Sequence, residues 1–144
     1  MNDVIQQEKE LCFHDFNHEK AFLFGMAVLD IVKKENLKNV RIRVTYNNDI
    51  IFQYLMNGKT SETWLDRKEK TVLESKHSSL YVFYNQDNYS HMLNNDNYAV
   101  CGGGFPLIVN NEVKGTFIIS GLSHEEDHQL IIDALRKIYK GGIL

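Results

Sequence analysis

The sequence predicts an α+β fold in three layers, with helices covering both faces of an antiparallel sheet. Two observations carry this expectation. Two stretches, "VRIRVTYNNDIIFQYLM" and "FPLIVNNEVKGTFIIS", are patterned as β-hairpins, and segments of helical periodicity lie before, between and after them. The length of 144 residues suits one domain with a sizeable core, and 43% hydrophobic with 24% charged residues is a globular composition.

The first helix is expected from about Asn17 to Lys34. Asn17 is an N-cap type, and Phe22, Met26 and Leu29 recur at helical spacing. Phe24, Val28 and Ile31 make the other side apolar too, so the helix is expected to be buried on more than one face. Gly25 within it suggests close approach to another backbone. In the first hairpin Val40, Ile42, Val44 and Tyr46 alternate with Arg41, Arg43 and Thr45, which predicts one face on a core. Asn47-Asn48-Asp49 forms its turn. The second hairpin turns near Asn110-Asn111, and its mostly apolar strands predict cover on both faces. Between the hairpins, "SETWLDRKEKTVLESK" reads as a helix with Asp66–Lys70 and Lys70–Glu74 pairs and a Trp64, Lys68, Val72 stripe. "HSSLYVFYN" has strand propensity, yet Ser78 or Ser79 could cap a short helix. The last helix, about Ser123 to Lys140, buries Ile131, Ala134, Leu135 and Ile138, and Gly141-Gly142 stops it. The N-terminal twelve or so residues form a flexible or packing arm.

Composition excludes several classes. A net charge of −3 offers no basic stripe for nucleic acid. "MNDVIQQEKEL" has no apolar core of a signal peptide, and "AFLFGMAVLDIV" is too short to span a bilayer, so a cytoplasmic protein without a membrane partner is expected. Cys12 and Cys101 have neither zinc-knuckle nor disulfide-framework spacing.

"SHEEDH" contains H-E-x-x-H, the zinc-peptidase pattern. Ser123 and Glu126, however, form a capping box, and Glu125, Glu126 and Asp127 put negative charge on the first helical turn. No histidine follows His128 as a third ligand, so the stretch reads as a helix start and no metal site is assigned. "NGKTS" resembles the end of a phosphate-binding loop but has Gln53 where the first glycine belongs. Gly102, Gly103 and Gly104 admit two readings: a bend beside a bulky neighbour, or close approach of a flat ligand or another chain. Of six histidines, His18 and His77 are the better candidates for an iron or metal donor. Arg67 and Lys68 would meet ligand anions only if they point inward.

The series "FHDFNHEKAF", "TWLDRKEKTVL", "KHSSLY", "GGGFPL", "GTFIISGL" and "EEDH", in this order from Phe13 onward, resembles the GlcG-like or haem-degrading domain family. Within it the closest likeness is to the branch of small stand-alone domains. The resemblance implies a profilin-like α/β/α sandwich around a five-stranded antiparallel sheet, and a helical "SSLYVFY". It also implies binding of haem or a cobalamin-type tetrapyrrole, haem degradation in some members, and homo-oligomers. The family's N-terminal-helix histidine maps onto His18 and its glycine motif onto Gly102, Gly103 and Gly104. On that reading His18 is the iron ligand with His77 as a second candidate. The glycines are the close-approach wall, Trp64 or Tyr81 an apolar or stacking surface, and Arg67 or Lys68 the propionate partner. No residue pair with a nucleophile–base relation is present, so no catalytic residue is assigned. A second expectation, from another class, is a non-catalytic homo-oligomeric scaffold. Its basis is 8 Phe, 7 Tyr and 1 Trp in a small chain of modest charge.

Overall fold

The computed structural model describes residues 2–140. Its elements are α1 (Asn2–Glu10), α2 (His18–Lys34), β1 (Arg41–Tyr46), β2 (Asp49–Leu55), α3 (Thr63–Ser75), α4 (Ser79–Tyr84), a 3-10 segment (Gln86–Met92), β3 (Gly104–Val109), β4 (Glu112–Ser120) and α5 (His124–Lys140). The fold is α+β with an antiparallel sheet, and the sheet has four strands in the order β2-β1-β4-β3, not five. Beyond β3, pairing is limited to one residue. Phe13 bridges Val109, with Phe13 N–H donating to the Ile108 carbonyl at 2.8 Å and Asn110 N–H to the Phe13 carbonyl at 3.0 Å. The preceding residues are wound into α1, whose burial of Val4 and the following Leu11 competes with further strand pairing. The expected N-terminal arm is therefore a packed helix.

Both hairpins turn on two asparagines in the left-handed region: Asn47 and Asn48 at φ 51 and 68, Asn110 and Asn111 at φ 50 and 68. Paired positive φ matches the right-handed twist of the strands, and asparagine tolerates it. Asn17 caps α2 by accepting from Lys20 N–H at 2.9 Å, and Ser78 caps α4 by accepting from Tyr81 N–H at 3.1 Å. The second cap and the burial of Leu80 and Val82 override the strand propensity of "SLYVFY".

One sheet face carries Ile42, Val44, Phe105, Leu107, Phe117 and Ile119 into a core shared with α2 and α5. Phe13, Phe16, Phe24 and Phe117 pack ring against ring at its centre. The opposite face, covered by α3 and α4, is polar where β1 crosses it. Arg41 and Arg43 are buried there and paired with Glu62, Asp66 and Glu69, and the Thr45 and Thr116 hydroxyls share a hydrogen bond of 2.7 Å. The alternation in β1 thus marks a polar interior interface, not a wet face. Asp66 and Glu74 are drawn to Arg43 and to His91 with Tyr98, so the expected i,i+4 pairs with Lys70 give way to these contacts.

In α2 the Phe24, Val28 and Ile31 side is buried, whereas Phe22 is 51% and Met26 38% exposed. Only one face is therefore in the core, because Gly25 lies against Phe52 of the edge strand β2 and the sheet ends there. A Cβ at Gly25 would stand 2.3 Å from the Phe52 ring. In α5 Ile131, Ala134, Leu135 and Ile138 are buried as the periodicity predicts, while the Gly141-Gly142 stop lies outside the described residues. Among the described residues no helix is long and apolar enough to cross a membrane.

Candidate functional site

The first turn of α5 is held by the capping box. Glu126 N–H donates to Ser123 Oγ and Ser123 N–H to Glu126 Oε1, both at 3.3 Å, and the two side chains meet at 2.7 Å. These bonds also hold the Glu126 carboxyl below the usual range. Ser123→Ala should lower stability by about 1 kcal/mol, as loss of a capping side chain does, read as a shift in the urea midpoint.

With the helix start fixed, Asp127 turns inward and meets Lys68 of α3. Both side chains are 3% exposed and their charges lie 3.0 Å apart. Lys68 Nζ also donates to the Ile119 carbonyl at 2.9 Å, and Asp127 Oδ1 accepts Leu122 N–H at 2.9 Å. Burial pushes the Asp127 carboxyl up, while Lys68 and the backbone donors pull it back. This ion pair forms the floor of a cavity of about 440 Å³ between β1, α3 and the start of α5, with Arg41, Trp64, Cys101 and His124 in its walls. Burial raises the Cys101 thiol, with Lys68 opposing, so it is no ready nucleophile.

The three glycines are explained by this assembly. A Cβ on Gly102 would stand 2.3 Å from the His124 carbonyl oxygen, and one on Gly104 2.8 Å from Val72 Cγ2. Gly103, at φ +119, would place a Cβ 2.3 Å from Lys68 Nζ. Their bare backbone accommodates neighbours from α3 and α5.

His128, one turn along α5, is 3% exposed. Its Nε2 donates to Gln7 Oε1 of α1 at 2.7 Å, and its Nδ1 has no partner among the described residues. Burial lowers its pKa to about 4, so the ring is neutral. His124 instead accepts Gly102 N–H through Nδ1 at 2.9 Å. The two histidines of H-E-x-x-H are thus engaged with different partners, and among the described residues no group of three or more His, Cys, Asp or Glu side chains could hold a metal ion.

A second concavity, about 800 Å³, opens between α1 and the β3–β4 hairpin. Ile5, Ile108 and Val113 give it apolar walls, Lys9 and Lys76 against Glu8 and Glu112 charge of both signs, and His77 and Cys12 donors. His77 is fixed on two sides: Nδ1 bonds Glu8 Oε1 at 2.8 Å, and the ring stacks on Tyr81 with centroids 4.0 Å apart. Glu8 Oε2 also accepts Ser78 N–H at 3.0 Å, so α1 orients the junction of α3 and α4. Among the described residues His77 Nε2 makes no hydrogen bond.

Residues 16–136 match the family model described as "Haem degrading protein HbpS-like". The chain belongs to the HbpS-like family. A UPF0303 protein of Psychromonas ingrahamii is 34% identical over 97% of this chain and 93% of its own length. The crystal structure of the Ybr137w protein superposes with a TM-score of 0.87 at 23% identity, covering 99% of this chain and 89% of that one. A PduOC–haem complex superposes at 0.68 with 17% identity, covering 84% and 93%. At these identities the two structures share the fold.

Within this HbpS-like chain the expected site residues fall in separate places. His18 is exposed on the first turn of α2, and it lines neither concavity. Trp64 and Lys68 line the smaller cavity, while Arg67 lies over the Trp64 ring at 4.3 Å and donates to the Tyr98 carbonyl at 2.8 Å. His77 lines the larger cleft with Tyr81 stacked behind it, and Gly102, Gly103 and Gly104 pack internally. Sequence reasoning missed Glu8, Arg41, Cys101 and the inward turn of Asp127. The one usable signal was Lys68, four residues from Val72 on a shared stripe; both are buried, and a buried lysine demands a counter-charge, whereas Trp64 at the start of that stripe is 39% exposed.

Proposed function

We propose that the chain binds haem in the cleft between α1 and the β3–β4 hairpin, with His77 as the residue that would hold its iron. The observation that carries this reading is the His77–Glu8 pair. A carboxylate on Nδ1 fixes the ring and leaves Nε2 as the donor, the arrangement that second-shell carboxylates impose on metal-bound histidines. Membership of the HbpS-like family and the haem held by the PduOC relative of the same fold support it. The cleft's size lies within the range of small-molecule sites, its walls are mainly apolar, and Lys9 and Lys76 are placed to meet propionates. When bound, haem would supply iron redox and oxygen chemistry. The chain supplies the donor, its orientation by Glu8 and Tyr81, and apolar shielding.

Titration of the purified protein with haemin should give a saturable Soret shift. His77→Ala should abolish it, His18→Ala should leave it intact, and Glu8→Gln should weaken binding about 10- to 100-fold. An unchanged spectrum in the parent protein overturns haem binding. Loss in His18→Ala alone moves the donor to α2, as the family resemblance implies.

One observation favours a second, compatible reading as a homo-oligomer. Phe22 and Met26 of α2 and Ile50 and Tyr54 of β2 are exposed, Phe22 lies edge-on to Phe52, and β2 is an edge strand without Lys, Arg or Pro. Edges of this kind favour pairing with another chain. Light scattering on the haemin samples should give a mass above the 16.7 kDa of one chain.

A further inference from the structure

We infer that the cavity over the Lys68–Asp127 pair is a separate binding site for a small carboxylate with a planar apolar body. Both oxygens of Asp127 are occupied, one by Lys68 and one by Leu122 N–H. Arg41 gives Nε to the Thr60 carbonyl at 2.7 Å and meets Glu62 through Nη2 at 2.8 Å, which leaves Nη1 as a further donor. Three more side chains offer donors without a partner among the described residues. Lys59 makes no ion pair, and the Trp64 indole N–H makes no hydrogen bond. The third is His124 Nε2, which carries the ring's hydrogen because Nδ1 accepts Gly102 N–H. Against them, the only unspent carboxylate oxygen is the second one of half-exposed Glu62.

The lining charges are Arg41, Lys59 and Lys68 against Glu62 and Asp127, an excess of one positive charge. With both Asp127 oxygens occupied, unpartnered donors in its walls and a net positive charge, the cavity selects an acceptor-rich anion, to which the lining Ser120 hydroxyl can also donate. The planar body follows from Trp64. Its indole is a cavity wall, while the Arg67 guanidinium that covers the ring is not among the lining residues. Leu122 adds a further apolar surface. A volume of about 440 Å³ lies in the range of small-ligand sites. This cavity shares no lining residue with the His77 cleft, so the inference stands apart from haem binding.

Trp64 is the one tryptophan of the chain, so its indole N–H gives a single reporter resonance in a ¹⁵N-labelled sample. Titration with benzoate should move that resonance saturably. Lys59→Met and His124→Ala should each raise the dissociation constant about tenfold or more, the scale of one charge-assisted hydrogen bond. His77→Ala should leave the titration unchanged, and inorganic phosphate should not reproduce it. The inference is overturned if benzoate leaves the resonance in place at millimolar concentration, or if both variants bind as the parent does with otherwise unchanged spectra. It is also overturned if phosphate produces the same shift, since the site would then select charge without the planar body.

Discussion

Lys68→Met should destabilise the protein by about 3–5 kcal/mol, the cost of leaving one charge of a buried pair alone. The substitution nearly preserves side-chain volume, so packing loss contributes little. What remains is the Asp127 carboxylate at 3% exposure with only backbone donors, and it must either stay ionised in a poor solvent or take up a proton. The double variant Lys68→Met/Asp127→Asn should recover most of the loss, because the asparagine carbonyl still accepts Leu122 N–H and no buried charge is left. Urea denaturation of both variants at pH 7 measures this. A loss below about 1 kcal/mol in the single variant would mean that water reaches the pair and that the cavity floor is not closed as described.

Acid should unfold the protein partly through His128. Its folded-state pKa of about 4 lies below its ordinary 6.5, so between those values the unfolded chain binds the proton and the folded one does not. Stability from this group is therefore complete above pH 6.5 and is lost as pH falls through the window toward 4. The loss amounts to about 3 kcal/mol over the two and a half units. The physical reason is that a proton on Nδ1 would be buried with no acceptor, Nε2 already donating to Gln7. His128→Gln keeps a donor for Gln7 and cannot titrate. Comparing urea midpoints at pH 7 and 4.5, the parent should fall well below the variant at acid pH. Carboxylates titrate alike in both proteins and cancel in the difference. An equal fall in the two would remove His128 as the acid-sensitive group.

The α5 segment shows what was legible in the sequence and what was not. The capping box in "SHEE" is a local device, since the bonding groups lie within one turn, and it reads directly from residue order. That Asp127 serves a lysine 59 positions earlier is not local; it depends on β4 bringing Ile119 and α5 beside α3. The glycines of "CGGGFP" follow the same division. Their need for space is legible, but whether a ligand or the chain itself fills that space is decided by Lys68, Val72 and His124 arriving there. For His77, sequence marks only a candidate donor, while Glu8 and Tyr81, remote and near respectively, define which nitrogen is available.

By itself the sequence determined the α+β class, the two asparagine turns, the Asn17 and Ser123 caps of α2 and α5 and the resemblance to haem-degrading domains. All of these rest on periodicity, on caps within one turn, or on short motifs in fixed order. The tertiary structure decided the strand count, the burial of the β1 arginines, the exposed side of α2 and the scattering of the candidate residues over two concavities, the packed interior and the surface. Those outcomes depend on which distant segments compete for the same surface: α1 against a fifth strand, α3 against solvent, the sheet edge against the outer side of α2. Such competition is set by packing free energies between elements, and no local pattern records it.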